Sequence, residues 1–350
     1  MFGDILSAGK MISHMRFIAS LTMNAGDLRQ AIKLWDESGD PRNPFAQVLV
    51  SPLFARPSTL RIIREELKER RGSQVCFDSG GYFVQQGRIT YEDLYGRLMN
   101  YYQQNQWADW YVLPDWVPTS QDDPQSVEHK VRATITVGRL FHNEMPDDLK
   151  LRALPVVQGH TQAQVVACVD AYTEFANGRI GFGSFGTSGS TNGVNTVTNQ
   201  SVVALRSLVN LAAARGLDVH LFGVSTPPIL YLFHRLGIAS FDSMAWMKAA
   251  GYGNVFLPLV RGYMATYRVV ERTHTFRDQF ERLKELTGHR CAFCEDFSEL
   301  MTNRMYRIMH NLTSVLDTVD LVRSGKFSHE SILRIIGLAS PTYLRYYEAM

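Results

Sequence analysis

The sequence contains no hydrophobic run that approaches the length of a membrane-spanning helix, and no large excess of either charge. Its 36 Lys and Arg residues nearly balance 34 Asp and Glu residues, which gives a formal net charge of +2 at pH 7. A nearly neutral chain neither requires nor excludes a nucleic-acid partner, because acids elsewhere can offset a local basic face. Asp4, Lys10 and His14 interrupt the N-terminal region, so we expect no signal peptide and a cytoplasmic location.

The phosphate-binding pattern GxxxxGK[ST] is also absent, which removes the usual signal of a P-loop nucleotide-binding protein. Cysteine is scarce, with four residues in 350. In a reducing compartment we expect these thiols to stay reduced. Cys76 and Cys168 lie in apolar runs that are typical of a protein core, whereas Cys291 and Cys294 form a separate motif.

From residue 46 onward, short apolar runs typical of strands alternate with amphipathic helical patterns. The strand-like runs are residues 46–51, 75–77, 110–113, 153–157, 179–182, 218–222 and 238–241. Such alternation predicts an α/β protein whose parallel sheet is covered by helices. The number and even spacing of the runs favour a (β/α)8 TIM barrel over an open doubly wound sheet, with the eighth strand expected within residues 255–270.

This pattern divides the chain into predicted units. They are an N-terminal irregular and helical segment (1–45), the barrel core (46–272), a zinc-binding subdomain with a closing helix (273–326) and a C-terminal helical tail (327–350).

Polar residues and glycines follow the predicted strands, at the rim where active sites of such barrels lie. These are Asp78, Asp115, Gln158, Gly183, Gly223 and Asp242. One rim aspartate is more often a helix cap than a catalyst, but three on one rim favour a functional site. Tyr82 and Phe222 flank this set and suit a flat ligand held between two rings, although either ring alone is equally consistent with a core position.

Residues 183–195 are rich in Gly, Ser, Thr and Asn and poor in apolar residues. This composition predicts a loop over the barrel mouth, acting either as a lid or through backbone contacts with a ligand. A plain solvent loop is equally compatible with it.

His289, Cys291 and Cys294, with His310 on a following helical stretch, form the second cluster. Two cysteines and two histidines suit a tetrahedral zinc ion, and four filled positions favour a structural Zn2+ over a catalytic one. The competing interpretation is a redox CxxC motif, but such a motif normally opens a helix after a strand.

Several of these segments, taken in order, resemble the tRNA-guanine transglycosylases over about residues 46 to 326. The segments are Asp78-Ser-Gly-Gly-Tyr82, Val157-Gln158-Gly159, Phe222-Gly-Val-Ser-Thr-Pro227, Phe241-Asp242 and the zinc cluster with His310-Asn311-Leu312. The resemblance implies exchange of guanine in a polynucleotide for a free 7-deazaguanine base, without cleavage of the phosphate backbone.

The resemblance also implies residue roles. Asp242 would be the nucleophile and Asp78 the general acid and base. Asp115 and Gln158 would read the purine edge, and backbone near Gly183 would bind its carbonyl oxygen. Tyr82 and Phe222 would enclose the base, with Ser79 and Gly223 also in the substrate pocket. A homodimer formed through the zinc module, or partner modification proteins, is implied by the likeness alone.

The chain departs from the tRNA enzymes on the parts that face the polynucleotide. Lys248 stands where the first arginine after the nucleophile is usual, Gly251 takes the place of the second, and His289 replaces the first zinc cysteine. The usual N-terminal strand bearing Thr-Pro is missing, and we expect no extra RNA-binding domain after the zinc module. These changes make the chain most similar to the branch that inserts 7-deazaguanines such as preQ0 into DNA, with Lys248 as a candidate nucleic-acid backbone contact. Three alternatives remain open: a tRNA substrate, a catalytically silent barrel that binds nucleic acid or serves as a partner subunit, and a hydrolytic barrel that uses Asp78 and Asp242 on a small glycoside.

Overall fold

The computed structural model describes residues 15–184, 186–187, 195–196, 198–224, 226–266 and 270–348. Its strands are β1 (Arg16–Ser20), β2 (Gln47–Val50), β3 (Gln74–Phe77), β4 (Trp110–Val112), β5 (Ala153–Leu154), β6 (Val156–Val157), β7 (Arg179–Phe182), β8 (Gly186–Thr187), β9 (Asn195–Thr196), β10 (Asp218–Leu221), β11 (Ser240–Ser243), β12 (Asn254–Leu257) and β13 (Val260–Met264).

Nine of these strands form one parallel sheet in the order β5-β4-β3-β2-β1-β11-β10-β7-β6. The two ends of this order are adjacent in the chain, because only Pro155 separates β5 from β6. β5 pairs with β4, and β6 pairs with β7. The sheet therefore curves into a nearly closed, barrel-like ring in an α/β protein.

Two strand predictions are wrong. Residues 1–45 were expected to be irregular apart from a short helix, yet β1 lies within the sheet and pairs with both β2 and β11. Residues 255–270 were expected to supply the eighth strand, but β12 and β13 form a separate antiparallel hairpin. Tight turn formation at Pro258 and Leu259, which has φ 62°, lets this apolar segment pair with itself.

Helices cover the sheet on its outer side. They are α1 (Ala25–Glu37), α2 (Pro57–Ile62, continued as a π-helical stretch Ile63–Glu69), α3 (Gly81–Gln85), α4 (Tyr91–Gln104), α5 (Pro124–Glu144), α6 (Asp147–Lys150), α7 (Gln162–Tyr172), α8 (Asn199–Ala214), α9 (Leu230–Leu236), α10 (Ala245–Gly251), α11 (Val270–Thr287), α12 (Phe297–Thr302), α13 (Arg304–Ser324), α14 (His329–Ala339) and α15 (Arg345–Glu348). Short 3-10 turns occupy Pro227–Ile229, Ala292–Cys294 and Pro341–Tyr343. None of the helices in the described part of the chain has the length and apolar character needed to cross a membrane.

Alternation along the strands divides the buried side chains into two sets. The large core between sheet and helices takes side chains such as Val48, Val75 and Leu221. A small cluster inside the ring takes the alternate positions of β1 to β6: Ile18, Leu49, Cys76, Val112, Leu154 and Val156. This apolar layer fills the interior beneath the strand ends, so any ligand space lies above it.

The C-terminal helices are joined to the ring by buried polar contacts of α13. The Asn311 side chain is fully buried, accepts a hydrogen bond from the Phe256 amide (2.7 Å) and donates to the carbonyls of Trp246 and Asn254 (both 3.1 Å). One amide side chain therefore links α13 to α10 and to β12. Because α10 follows β11 directly, this contact helps to fix the wall of the cavity described next.

Candidate active site and metal centre

A cavity of about 620 Å3 opens at the carboxyl ends of the strands. Its lining includes nine of the ten predicted pocket residues: Asp78, Ser79, Tyr82, Asp115, Gly183, Phe222, Gly223, Asp242 and Lys248. The volume falls within the range of small-molecule sites and is sufficient for a purine. Three carboxylates from three different strands of the sheet thus face one space.

Asp78 follows β3 and is half-buried at the cavity wall. Its Oδ2 accepts hydrogen bonds from the Ser51 hydroxyl (2.5 Å) and from the Gly80 amide (3.3 Å). Desolvation raises its pKa from the ordinary value of 3.8 to about 7, and the charges of Asp115 and Asp242 add to the effect. This carboxyl can therefore both give and accept a proton near neutral pH.

Asp242 lies on β11 and is 5 % exposed. Its Oδ2 accepts a hydrogen bond from the Ser20 hydroxyl of β1, and its Oδ1 accepts one from the Gly223 amide at 2.9 Å. Gly223 has φ 67°, a conformation that glycine adopts without the steric cost of a Cβ. Gly223 lines the cavity as predicted, and its amide also holds the Asp242 carboxylate.

Asp115 follows β4 and is 6 % exposed. It accepts hydrogen bonds from the Ser79 hydroxyl and the Gln158 side-chain amide, both at 2.6 Å. Burial raises the pKa of this carboxyl, while the two hydrogen bonds oppose the rise. Gln158 is fully buried behind Asp115, and its Oε1 accepts from the Ser184 hydroxyl at 2.6 Å. In this arrangement Gln158 orients Asp115 and is not itself part of the cavity lining.

Gly183 follows β7 and lines the cavity beside Gln158. A Cβ at this position would lie 2.4 Å from Gln158 Nε2, so only glycine fits without a shift. Its own amide donates to the Val157 carbonyl at 3.2 Å. Gly181, Gly183 and Gly186 have GxGxxG spacing, but they lead into the short strand β8 and not into a helix, which is the context that a dinucleotide site requires.

Tyr82 and Phe222 both line the cavity and are half-buried, so neither ring is confined to the core. The Tyr82 hydroxyl accepts a hydrogen bond from Gln86 at 2.9 Å. Lys248, on α10, also lines the cavity and forms no ion pair with any carboxylate in the described ranges. Within the described part of the chain, Lys248 is therefore a cation without an acidic partner beside a cavity lined by three carboxylates.

The predicted loop 183–195 lies mostly outside the described residues. The structure describes residues 183–184, and it pairs β8 antiparallel with β9, matching Gly186 to Thr196 and Thr187 to Asn195.

The four predicted metal ligands converge as a second centre. The ligand atoms of His289, Cys291, Cys294 and His310 all lie within 4.8 Å of one another. The two sulfur atoms are 3.2 Å apart, and His310 Nδ1 is 3.4 Å from both Cys291 Sγ and His289 Nε2. Ligand atoms at ordinary zinc bond lengths in a tetrahedron are separated by about 3.3–3.8 Å. This donor set can hold a metal ion.

The other ring nitrogen of each histidine is already occupied. His289 Nδ1 contacts Asp317 Oδ2 at 2.6 Å, and His310 Nε2 donates to the Phe256 carbonyl at 2.7 Å. Burial lowers the pKa of His310, which favours its neutral, ligating form. Hydrogen bonds from Cys291 and from both histidines lower the pKa of Cys294 and favour its thiolate. Such outer contacts aim ligands at a metal, so the fit extends beyond the four residues themselves.

Sequence reasoning missed several residues of the cavity and of the metal centre. Ser20 and His220 contact the Asp242 carboxylate, and Ser51 contacts that of Asp78. Asp317 orients the predicted metal ligand His289. One signal was available for His220, since it alternates with apolar residues along β10 and therefore points inward beside Phe222.

A scan of protein-family models found no match to this chain, and a search of curated proteins found no relative.

Proposed function

We propose that this protein is a transglycosylase that exchanges guanine in DNA for a free 7-deazaguanine such as preQ0. Asp242 acts as the nucleophile and Asp78 as the general acid and base. The supporting features are the resemblance of the rim motifs to the tRNA-guanine transglycosylases and the presence of both carboxylates in one cavity.

In the first step, an Asp242 oxygen bonds to the anomeric carbon of the target nucleotide while the bond from that carbon to guanine N9 breaks. The departing guanine takes a proton from Asp78. The sugar passes through an oxocarbenium-like state and is trapped as a glycosyl ester. An acid with a pKa of about 7 remains protonated often enough at neutral pH to serve this step.

In the second step, the 7-deazaguanine loses its N9 proton to Asp78 and N9 attacks the same carbon. The ester bond breaks and Asp242 leaves as a carboxylate, so the enzyme returns to its starting state. Because two displacements occur at one carbon, the configuration at the sugar is retained.

Asp115 is the group that selects the base. Its carboxylate, oriented by Ser79 and Gln158, suits the N1–H and 2-amino donors of guanine. Adenine offers no donors in this pattern and would leave the remaining acceptor positions of the Asp115 carboxylate unfilled. Tyr82 and Phe222 contact the faces of the base, and the target nucleotide must leave any base stack to reach this depth. Lys248 contacts the polynucleotide backbone.

We further infer that the ring is a (β/α)8 barrel in which the segment 153–157 counts as one strand interrupted by Pro155, followed by a zinc-binding subdomain. The His2Cys2 donor set suits Zn2+ in a structural role. A bound ion would cross-link α13 to the turn that carries Cys291 and Cys294.

The observation that carries the proposal is that Asp78 and Asp242 line one cavity, in which burial raises the pKa of Asp78 to about 7. The test is incorporation of labelled guanine into DNA and tRNA, assayed side by side. Asp242→Asn is expected to abolish exchange while the unfolding temperature stays within a few degrees of wild type. Normal exchange by Asp242→Asn would contradict the proposal.

The same assay separates the alternatives. Incorporation into tRNA alone would identify a tRNA-guanine transglycosylase. Release of free base without incorporation would identify a hydrolytic barrel. Nucleic-acid binding without either reaction would identify a catalytically silent barrel.

A further inference from the structure

His220 is a buried histidine beside the proposed nucleophile, and no step described above uses it. Its side chain is 2 % exposed. Nδ1 lies 2.9 Å from the Ser240 hydroxyl, and Nε2 lies 3.4 Å from Asp242 Oδ1. Nε2 has no hydrogen-bond partner of ordinary geometry among the described residues. An unpaired buried polar atom costs free energy of folding and is rare in native proteins, so this one calls for an explanation.

The strand register explains why the ring points at Asp242. His220 pairs with Ser240 on β11 and with Gly181 on β7. Ser240 and Asp242 are two residues apart and therefore face the same side of β11, inside the ring. A Cβ on Gly181 would lie 2.3 Å from the Phe222 ring, so this glycine leaves room for that ring. Phe222 packs edge-on against the imidazole, with ring centroids 4.6 Å apart. The ring is thus held between a hydroxyl and a carboxylate.

These contacts select one tautomer. A lone pair on Nε2 would face a carboxylate oxygen at 3.4 Å, where two acceptors repel each other. A proton on Nε2 turns the same contact into an N–H pointing at a carboxylate. Nδ1 is then the acceptor, and the Ser240 hydroxyl donates to it. The order of donation runs from Ser240 through His220 to Asp242.

We propose that His220 is a positioning residue that reserves Asp242 Oδ1 as the non-attacking oxygen, an assignment that rests on the proposed transglycosylase function. The Gly223 amide donates to Oδ1 at 2.9 Å and His220 Nε2 lies 3.4 Å from the same oxygen, whereas Oδ2 accepts only from Ser20 among the described residues. Oδ2 therefore keeps the lone pair that bonds to the anomeric carbon.

The contact gains strength in the second displacement. In the glycosyl ester, Oδ1 is the carbonyl oxygen and carries little charge. When the ester bond to the sugar breaks, the electron pair returns to the carboxylate and negative charge develops on Oδ1. A preorganised N–H aimed at that oxygen stabilises the leaving group at the moment when charge appears.

The resting protein provides a first test that needs no assay of activity. Two-bond proton–nitrogen spectra of protein labelled with 15N-histidine are expected to show His220 as the neutral Nε2–H tautomer. Asp242→Asn is expected to shift the His220 Nε2 resonance. A neutral Nδ1–H tautomer, or an Nε2 resonance that ignores Asp242→Asn, would overturn the inference.

A matched pair of variants provides the second test. The Nε2 of glutamine approximates His220 Nε2, whereas the Nδ2 of asparagine approximates Nδ1 and cannot reach Asp242. His220→Gln is expected to retain most of kcat. His220→Asn is expected to lose about tenfold in kcat, the effect of one hydrogen bond to a charged group, with little change in KM for the incoming base.

Equal kcat values for the two variants would contradict a positioning role, since a residue that only fills space would not distinguish them. Absence of exchange by the wild-type protein would instead contradict the proposed function, and the spectra would still decide whether His220 and Asp242 are paired.

Discussion

At the scale of single residues, the cavity places like charges where they oppose folding. Asp78, Asp115 and Asp242 face one space, and burial raises the pKa of Asp78 and of Asp115. Hydroxyl and amide donors satisfy the carboxylates, but no described cation forms an ion pair with Asp78. An arrangement that costs stability and concentrates reactive groups is typical of a site selected for function.

Replacing Asp78 tests this cost directly. The unfolded chain ionises this group near 3.8 and the folded protein near 7, so the folded state binds more protons between these values. Stability is therefore lost as pH rises through that interval. Full burial would make the penalty ~4 kcal/mol. Because the side chain is half-buried and faces an open cavity, we expect Asp78→Asn to stabilise the protein by about 1–2 kcal/mol at pH 8 and not at pH 4.

Urea unfolding at the two pH values measures the difference. Asp278→Asn, at an exposed site in the middle of α11, serves as the control and is expected to change little at either pH. A destabilised Asp78→Asn protein at pH 8 would show that the Ser51 and Gly80 hydrogen bonds outweigh desolvation.

The aspartates that line the cavity could be predicted from the sequence, but the serine hydroxyls that donate hydrogen bonds to them could not. Asp78 and Asp242 end apolar runs, which is a local signal. Ser51 also ends a predicted strand, yet its contact with Asp78 arises from the pairing of β2 with β3. Ser20 reaches Asp242 because β1 pairs with β11, more than two hundred residues away in the chain. These contacts between residues on neighbouring strands depend on the order of strands in the sheet, and a single sequence does not reveal that order.

At the scale of elements, β7 is followed by a glycine that the wall of the cavity requires. A Cβ on Gly183 would lie 2.4 Å from Gln158 Nε2 and would displace the group that orients Asp115. We expect Gly183→Ala to cost about 1–3 kcal/mol of stability, as overpacked cores do. Calorimetric unfolding and titration with free guanine measure both effects, and we expect the affinity for guanine to fall.

Gly96→Ala on α4 is the matched control, because a Cβ there meets nothing within 4 Å. Alanine favours a helix over glycine, so this variant is expected to gain roughly 0.5–1 kcal/mol. Unchanged stability and guanine affinity in Gly183→Ala would mean that Gln158 moves without cost and that its contact with Asp115 is dispensable.

The candidate metal centre of His289, Cys291, Cys294 and His310 provides a second test at this scale. Asp317 orients His289 and also accepts from Arg42 at 2.7 Å. We expect Asp317→Asn to weaken Zn2+ binding by about 10–100-fold, since an outer carboxylate fixes both the tautomer and the direction of a ligand. Competition with a chromogenic chelator measures the affinity.

Asp320→Asn is its control, because Asp320 contacts the same Arg42 side chain at 3.0 Å but does not touch a metal ligand. Equal losses in the two variants would assign the effect to Arg42 and its ion pairs. Wild-type affinity in Asp317→Asn would remove Asp317 from the metal site.

At the scale of the whole molecule, the alternation of strands and helices predicted the class of fold but not where the ring starts. Seven strand-like runs correspond to strands of the sheet. The remaining position in the ring is filled by the five-residue strand β1 and not by residues 255–270. A short apolar run pairs wherever an unsatisfied edge accepts it, so pattern alone could not decide between these segments.

The charge of the whole molecule bears on the proposed DNA substrate. A net charge of +2 provides little general attraction to a polyanion, so binding must come from local cations that acids do not neutralise. Lys248 is such a cation at the cavity, whereas Lys33 on α1 pairs with Glu37 at 3.6 Å. Each phosphate contact releases about one counterion, so the dependence of affinity on salt counts the contacts.

We therefore expect Lys248→Ala to weaken binding of single-stranded DNA and to reduce the slope of log Kobs against log salt by about 1. Lys33→Ala is expected to leave both quantities unchanged. Fluorescence anisotropy over a series of salt concentrations measures the slope for each variant. If the two lysines behave alike, Lys248 does not contact the backbone, and the polynucleotide must approach the cavity from a side that Lys248 does not reach.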